Sequence, residues 1–365
     1  MSTVKTLVSV WLGGNSPEHW ISFKSAMFVL IFLDRERFDV CAQYIHPDGS
    51  FATPTELLTT IDEFFVRNQV LLFRESDQVG DWMSRLRSAA LAEQPARPDV
   101  LFPVFHGRLG EDGGFQGLAE TLGIPYVGCN FVGSVLGMDK VLTKLAAGHS
   151  GLATTFGLEV SRSSRESSPE AFEGEVLKTL QSNGVNFPLF VKPVRLGSSI
   201  GVNRVRDLEE LHRALVEAFE YDDLVLIEAE VRGIEYAVGV IGHQDQLESS
   251  VVVEYTSAPE NFGYDSKYGP QSLPDIIPAR LSPENTQTMK RFAEAVFRAL
   301  EMEGICRVDS FWDARTGRPL LNEVNTMPGL NASSPFVLAW EASGVSKKAL
   351  LTRMVELALE PSRGR

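Results

Sequence analysis

Cysteine is scarce in this chain of 365 residues: Cys41, Cys129 and Cys306 stand far apart, with no CxxC or His-rich spacing. A disulfide framework or a zinc site therefore has little support, and a reducing compartment fits best. Basic residues are also few, 34 Lys and Arg against 48 Asp and Glu, for a net charge of -14. That balance argues against a surface that binds nucleic acid by neutralising phosphates, although a local basic pocket can still hold a small polyanion. Long apolar runs are missing as well. MFVLIFL (27–33) is short, bounded by charges and reads as core, and the opening MSTVKTLVSVWLGGN has no signal-peptide cleavage pattern. The expectation is a cytoplasmic protein without a membrane or nucleic-acid partner.

What is present is ordinary for a globular protein, 44% hydrophobic and 22% charged, with length for about two or three domains. Residues 4–12 read as a buried strand, then a Gly-Gly turn, then a helix over about 17–34, the opening βα unit of a parallel sheet. DVLFPVF (99–105) is a second buried strand running into HGRLGEDGG, and GLAETLG and IPYVG continue as a helix and a strand. In such a sheet the chemistry lies in loops leaving the carboxyl ends of strands, where GGNSPEH (13–19) and HGRLGEDGG both fall.

The expected fold class is α/β and α+β, a parallel-sheet α/β domain over 1–128 followed by two α+β domains over 129–229 and 230–365. The second carries a helix over SVLGMDKVLTKLAA, a polar surface connection at 161–172, strands FPLFVKPV and LVLIEAEV, and the helix LEELHRALVEAF. The third carries strands EYAVGVIG, ESSVVVEY, ICRVDSFW and PLLNEVNT, a loop-rich segment at 256–280, a long helix near 283–301 and closing helices.

Several stretches carry chemistry. In GGNSPEH, Ser16 suits a helix N-cap and Pro17 the first helical position, so Glu18 reads either as a complement to the helix dipole or as a ligand. RLGSSIG (195–201) is a Gly/Ser loop between two strands, a context that rules out the P-loop and the dinucleotide fingerprint but leaves an ordinary hairpin or a phosphate cover. Lys140 and Lys192 are placed to add positive charge to the same polyphosphate.

RVD (307–309) and NEVN (322–325) are sharper, because alternation puts Arg307 and Asp309 on one strand face and Glu323 and Asn325 on another. A hairpin centred on residue 316 sets Asp309 opposite Glu323 and Arg307 opposite Asn325. Two acids and an amide oxygen on one face need a cation. Mg²⁺ bridging substrate phosphates suits them, the alternative being a solvated face neutralised by Arg307. Gly329 offers a backbone N–H to an oxyanion, Ser334 opens a helix suited to a carboxylate or phosphate, and NFGYDSKYG (261–269) reads as a lid or a surface loop.

Taken together, HGRLGEDGGFQG, RVDSFWD…LLNEVNTMPG, NSPEH, MDK, VKPVRLGSSIGV, LIEAEVRGIEYAV and GYDSKY resemble, in order and across nearly the whole chain, the D-alanine–D-alanine ligase family of the ATP-grasp superfamily. The resemblance implies an ATP-grasp fold and a ligase that activates one D-alanine as an acyl phosphate for attack by the amine of a second, in peptidoglycan precursor synthesis. It implies that Glu18, linked to Ser198, holds the first ammonium, that His106 lies near the first carboxylate, and that Ser334 binds the second. Lys140, Lys192, Ser198 and Ser199 would bind ATP phosphates, with Lys267 reaching the γ-phosphate. Glu228 and Val231 match the adenine hinge and Glu235 the ribose contact. Asp309, Glu323 and Asn325 would hold two Mg²⁺ ions, with Mn²⁺ able to substitute, while Arg307 and Gly329 stabilise the oxyanion. Tyr268 goes with an amine acceptor, and the family is commonly homodimeric.

Three departures bear on detail: Ala229 replaces a hinge lysine, Trp20 stands beside Glu18 in place of a small residue or an acid, and Arg108-Leu109 replaces Pro-Tyr. The alternatives are a related ligase making D-Ala-D-Ser, D-Ala-D-Lac or a secondary-metabolite dipeptide, or a non-catalytic ATP-binding relative.

Overall fold

The computed structural model describes residues 4–68, 82–92, 97–167, 171–256 and 274–360. β1 (Thr6–Gly13) is the middle strand of a parallel sheet, between β2 (Phe38–Ile45) and β3 (Val100–Pro103). Flanked on both edges, β1 keeps Val8, Val10 and Leu12 fully buried, which is why it reads as an apolar run rather than an alternation. It ends at Gly13, whose φ is +94° and where a Cβ would lie 2.2 Å from the Ile45 carbonyl oxygen, so only glycine fits the turn.

The helix that follows, α1 (His19–Phe32), starts later than the sequence implies. Ser16 does not cap it: its Oγ accepts the Glu18 N–H at 3.1 Å inside a preceding turn, and Glu18 itself is the residue at the helix boundary. α2 (Pro54–Asn68), α3 (Trp82–Leu91) and α4 (Gly114–Leu122) complete the domain. IPYVG forms no strand but a single parallel bridge, Leu101 to Tyr126.

The helix expected over SVLGMDKVLTKLAA is two helices, α5 (Phe131–Met138) and α6 (Lys140–His149), broken at Asp139. Asp139 is extended, and its Oδ1 accepts the N–H groups of Val141 and Leu142 at 3.0 Å each. That cap contributes about 1 kcal/mol and makes Lys140 the first residue of α6.

The second sheet is antiparallel, with β4 (Gly157–Ser161), β5 (Leu189–Pro193), β6 (Asn203–Val205) and β7 (Leu224–Ala229) in the order β4-β7-β5-β6. The stretch expected as a connection holds a short helix, α7 (Arg162–Ser167), and leads into α8 (Phe172–Ser182). α8 is anchored by Phe172, Val176 and Leu180 on one buried face. α9 (Leu208–Tyr221) covers the same core.

The third sheet contains β8 (Glu235–His243), β9 (Gln246–Ser249), β10 (Val253–Glu254), β11 (Gly304–Asp313) and β12 (Arg318–Asn325). ESSVVVEY thus divides between two strands, each paired to β8. α10 (Pro283–Ala299) packs on this sheet, and α11 (Pro335–Ala342) and α12 (Lys347–Leu359) close the described chain.

The three sheets lie within 1–128, 129–229 and 230–365, but helices cross those limits. Cys129 and Ala147, before and within the α5–α6 pair, are buried in the core of the third sheet, and Val337, Trp340, Leu351 and Val355 join the core of the first. This second overlap brings the loop after β12 against α1, where the Leu330 N–H donates to Ser25 Oγ at 3.3 Å. No helix among the described residues is long and apolar enough to cross a membrane.

Candidate active site

A cavity of about 510 Å³ opens between the second and third sheets. Lys140, Lys192, Ser199, Glu228, Val231, Glu235 and Glu323 all line it, as the sequence implies. At its centre Glu228, 2% exposed, lies 2.7 Å from Lys144 Nζ and 2.6 Å from Lys192 Nζ, and accepts the Thr155 hydroxyl at 2.6 Å. Burial opposes its charge, but the two lysines outweigh that and hold the carboxyl well below the usual range. Burial likewise disfavours the Lys192 ammonium, and Glu228 and Glu323 together push it above the usual lysine value. Both Glu228 oxygens are thus engaged, as counter-charge to the two lysines. Ala229, at the hinge, presents no charge to the cavity it lines.

Lys140 Nζ donates to the Leu196 carbonyl at 2.7 Å and lies 3.7 Å from Glu323 Oε2, tying α6 to the Gly/Ser loop and to β12. The loop is strained in a way that functional loops often are: Ser198 and Ser199 have φ of +53° and +56°. The Arg195 guanidinium and N–H fasten its first residue to Asp222.

On the β11–β12 hairpin the expected register is present: Arg307 pairs with Asn325 and Asp309 with Glu323. A bulge follows, so that Ser310 pairs with Leu321 and Asn322 is the extra residue. The bulge turns Asn322 into the cavity, where Nδ2 donates to Glu235 at 2.7 Å and Oδ1 accepts from Lys192 at 3.3 Å. Arg307 grips Asp309 through Nε and Nη2 at 2.8 and 2.7 Å, and Asn325 Nδ2 donates to the same carboxylate at 3.2 Å. Among the described residues no three His, Cys, Asp or Glu side chains are grouped to hold a metal. The two carboxylates and one amide of Asp309, Glu323 and Asn325 are nonetheless hard oxygen donors on neighbouring strands, which fits Mg²⁺.

The other end of the site is acidic. Glu18 is 7% exposed; Oε1 accepts the Ser198 hydroxyl, and Oε2 finds no hydrogen-bond partner among the described residues. Burial pushes its carboxyl up, against the pull of Ser198 and Lys140. Gly107, with φ of +72°, lets the backbone approach: a Cβ there would lie 2.9 Å from Glu18 Oε2. Glu111 faces the same corner, bonded to the N–H groups of Gly107 and Met327. His106 Nε2 meets Ser25 Oγ at 2.9 Å, and burial lowers its pKa to about 4, so the ring is neutral. Ser334 caps α11, accepting the Val337 N–H at 3.3 Å and donating to the Gly329 carbonyl.

The structure therefore brings together Glu18 with Ser198, and the cavity lysines with Glu228, Glu235 and Glu323. Lys267 and Tyr268 lie outside the described residues. Residues the sequence reading missed are Lys144, Thr155, Asn322 and Glu111. Lys144 had a signal, since it stands one helical turn after Lys140.

The comparisons with known proteins agree with this geometry. The family described as D-ala D-ala ligase N-terminus matches residues 7–129, and that described as D-ala D-ala ligase C-terminus matches 151–356. The chain is 38% identical to a D-alanine–D-alanine ligase of Chlorobium chlorochromatii, over 98% of this chain and 99% of the relative. It is 38% identical to that of Deinococcus radiodurans, over 98% and 99%. Among solved structures, the D-alanine-D-alanine ligase from Coxiella burnetii superposes with a TM-score of 0.76 at 29% identity, covering 97% of this chain and 94% of that one. VanG D-Ala:D-Ser ligase from Enterococcus faecalis gives 0.77 at 27%, covering 97% and 100%. The chain belongs to the D-alanine–D-alanine ligase family and has its ATP-grasp fold.

Proposed function

We propose that the protein uses ATP to join two D-alanines through a D-alanyl phosphate, with the roles distributed as follows. Glu18 Oε2 carries the reading, because a buried carboxylate oxygen without a donor is costly and a substrate ammonium satisfies it. Lys140 and Lys192 bind the phosphates under the Gly/Ser loop, Val231 and Glu228 face the base, and Glu235 faces the ribose. Lys267 is assigned to the γ-phosphate. Asp309, Glu323 and Asn325 would hold Mg²⁺, which supplies charge neutralisation to the transferring phosphoryl group.

The D-alanine carboxylate attacks the γ-phosphorus and ADP leaves. The amine of a second D-alanine, whose carboxylate is held at Ser334, then attacks the acyl carbon. Arg307 and the Gly329 N–H stabilise the oxyanion, and phosphate departs as the peptide bond forms. His106, being neutral, orients rather than charges the first carboxylate. Tyr268 is assigned to acceptor choice. The same reading makes the protein a cytoplasmic homodimer supplying peptidoglycan precursor.

The test is phosphate release from Mg-ATP with D-alanine, D-serine, D-lactate plus D-alanine, and L-alanine, with products weighed by mass spectrometry. Release with D-alanine alone and a D-alanyl-D-alanine product is expected. Turnover only with another pair changes the substrate and keeps the mechanism, and silence with all of them overturns the reading.

A further inference from the structure

Glu111 is a titratable side chain in the acidic corner to which the mechanism above gives no task. It lies in the loop after β3, and its two carboxyl oxygens reach two different parts of the chain. Oε2 accepts the Gly107 N–H at 2.7 Å, and Oε1 accepts the Met327 N–H at 3.2 Å. Gly107 abuts the turn that carries Glu18, with its missing Cβ 2.9 Å from Glu18 Oε2 and 3.0 Å from Ser16 Oγ. Met327 precedes Gly329 by two residues in the loop after β12. The carboxyl group is therefore a strut from the first sheet's loops to the third sheet's.

We propose that Glu111 is a positioning residue: it sets the distance between the ammonium holder Glu18 and the oxyanion donor at Gly329, and so places the acyl carbon between them. The inference rests on the roles proposed for those two residues. A carboxyl group spans the gap because both of its oxygens accept. An amide of the same shape offers one acceptor and turns a donor toward the other N–H, and aspartate is too short to reach both. Stability does not account for the placement. Burial and the neighbouring Glu18 push the Glu111 carboxyl up to about 8, and the two N–H bonds and Arg307 only partly offset this. A carboxyl group whose ionisation is opposed on two sides is a costly choice for a purely structural link, which points to a functional reason for it.

The experiment measures kcat, the KM values for ATP and D-alanine, and the thermal midpoint for wild type, Glu111→Gln, Glu111→Ala and Glu18→Gln. For Glu111→Gln, kcat is expected to fall about 10²-fold, the loss that follows from misplacing reacting atoms by an ångström. ATP KM should stay within about twofold, and any fall in the thermal midpoint should be too small to account for the loss of kcat. If Glu111→Gln does not fold, Glu111→Ala decides by the same split between kcat and KM. A kcat within about twofold of wild type overturns the proposal, as does a kcat loss matched by lost stability and lost ATP affinity. Glu18→Gln separates the two levels. A raised D-alanine KM there with an unaffected Glu111→Gln overturns the positioning role alone, whereas an unchanged D-alanine KM removes the ammonium assignment and this proposal with it.

Discussion

Glu228 and Glu111 are glutamates of the same site, yet their carboxyl groups are driven in opposite directions. Glu228 sits between Lys144 and Lys192 and is held well below the usual range, while Glu111 sits near Glu18 and is pushed up to about 8. At the nucleotide end charge is compensated before any ligand arrives. Glu228 and Glu323 favour the charged Lys192 against its burial, so that in the proposed reading an incoming triphosphate meets a cation already in place. At the amino-acid end Glu18 and Glu111 oppose each other's charge with no cation among the described residues bonded to either, and in the proposed reading the substrate ammonium supplies one. One end is preorganised by the protein, and the other is completed by what it binds.

Arg307 joins the two ends, and breaking it gives the largest expected effect. Arg307→Ala removes the proposed oxyanion donor and leaves Asp309, 0% exposed, without its bidentate partner. A kcat loss of about 10³-fold is expected, read in the phosphate-release assay under saturating ATP and D-alanine. Arg307→Lys keeps the charge but not the fork, and should recover only part of that loss.

Next comes the compensated end itself. Glu228→Gln leaves Lys144 and Lys192 facing each other across a buried amide, and should lower unfolding free energy by about 3 kcal/mol at pH 7. The sign with pH follows from the depressed carboxyl. Its stabilisation is fully present above the unfolded value near 4.5 and is lost as pH falls through the folded one, so the gap to wild type should narrow in acid. Denaturant melts at pH 7 and pH 3 would show this. A gap that is constant with pH would mean that the lysines do not hold Glu228 ionised.

The uncompensated end should behave in the opposite sense. A raised carboxyl gives stability that is present below about 4.5 and is lost as pH climbs toward about 8. Wild type should therefore lose stability over that window relative to Glu111→Gln. The charged and titratable groups facing Glu111 are Glu18 and Arg307, with His106 adjoining, and all three are common to both proteins. Parallel stability curves from pH 5 to 8 would show that Glu111 is already ionised at neutral pH.

How far this contrast was legible depends on the range of the interactions behind it. Strand parity alone placed Asp309 opposite Glu323 and Arg307 opposite Asn325, since alternation is local and the hairpin turn is short. The same parity could not foresee the bulge, which re-aims Asn322 toward Lys192 and Glu235. Nor does periodicity show that Asp139 stops one helix to cap the next. Glu18 was found through its motif, and in the structure its Oε1 accepts the Ser198 hydroxyl. Glu111 stood in a quoted motif but drew no role, because what singles it out is a bond to Met327, far away in sequence. Long-range contacts of that kind leave no spacing to read.

The smallest expected effect concerns Trp20, which stands beside Glu18 in place of a small residue or an acid. Its ring is 52% exposed, stacked on Phe64 at 12° with 5.8 Å between centroids, and edge-on to His19 at 5.1 Å. Those contacts are with aromatic neighbours and none is with Glu18 or Glu111. Trp20→Ala should therefore leave the D-alanine KM within about twofold of wild type and cost about 1 kcal/mol of stability from the lost ring contacts. A KM shifted tenfold or more would place the indole among the substrate contacts, and the acidic corner would then be completed by an aromatic wall as well as by an ammonium.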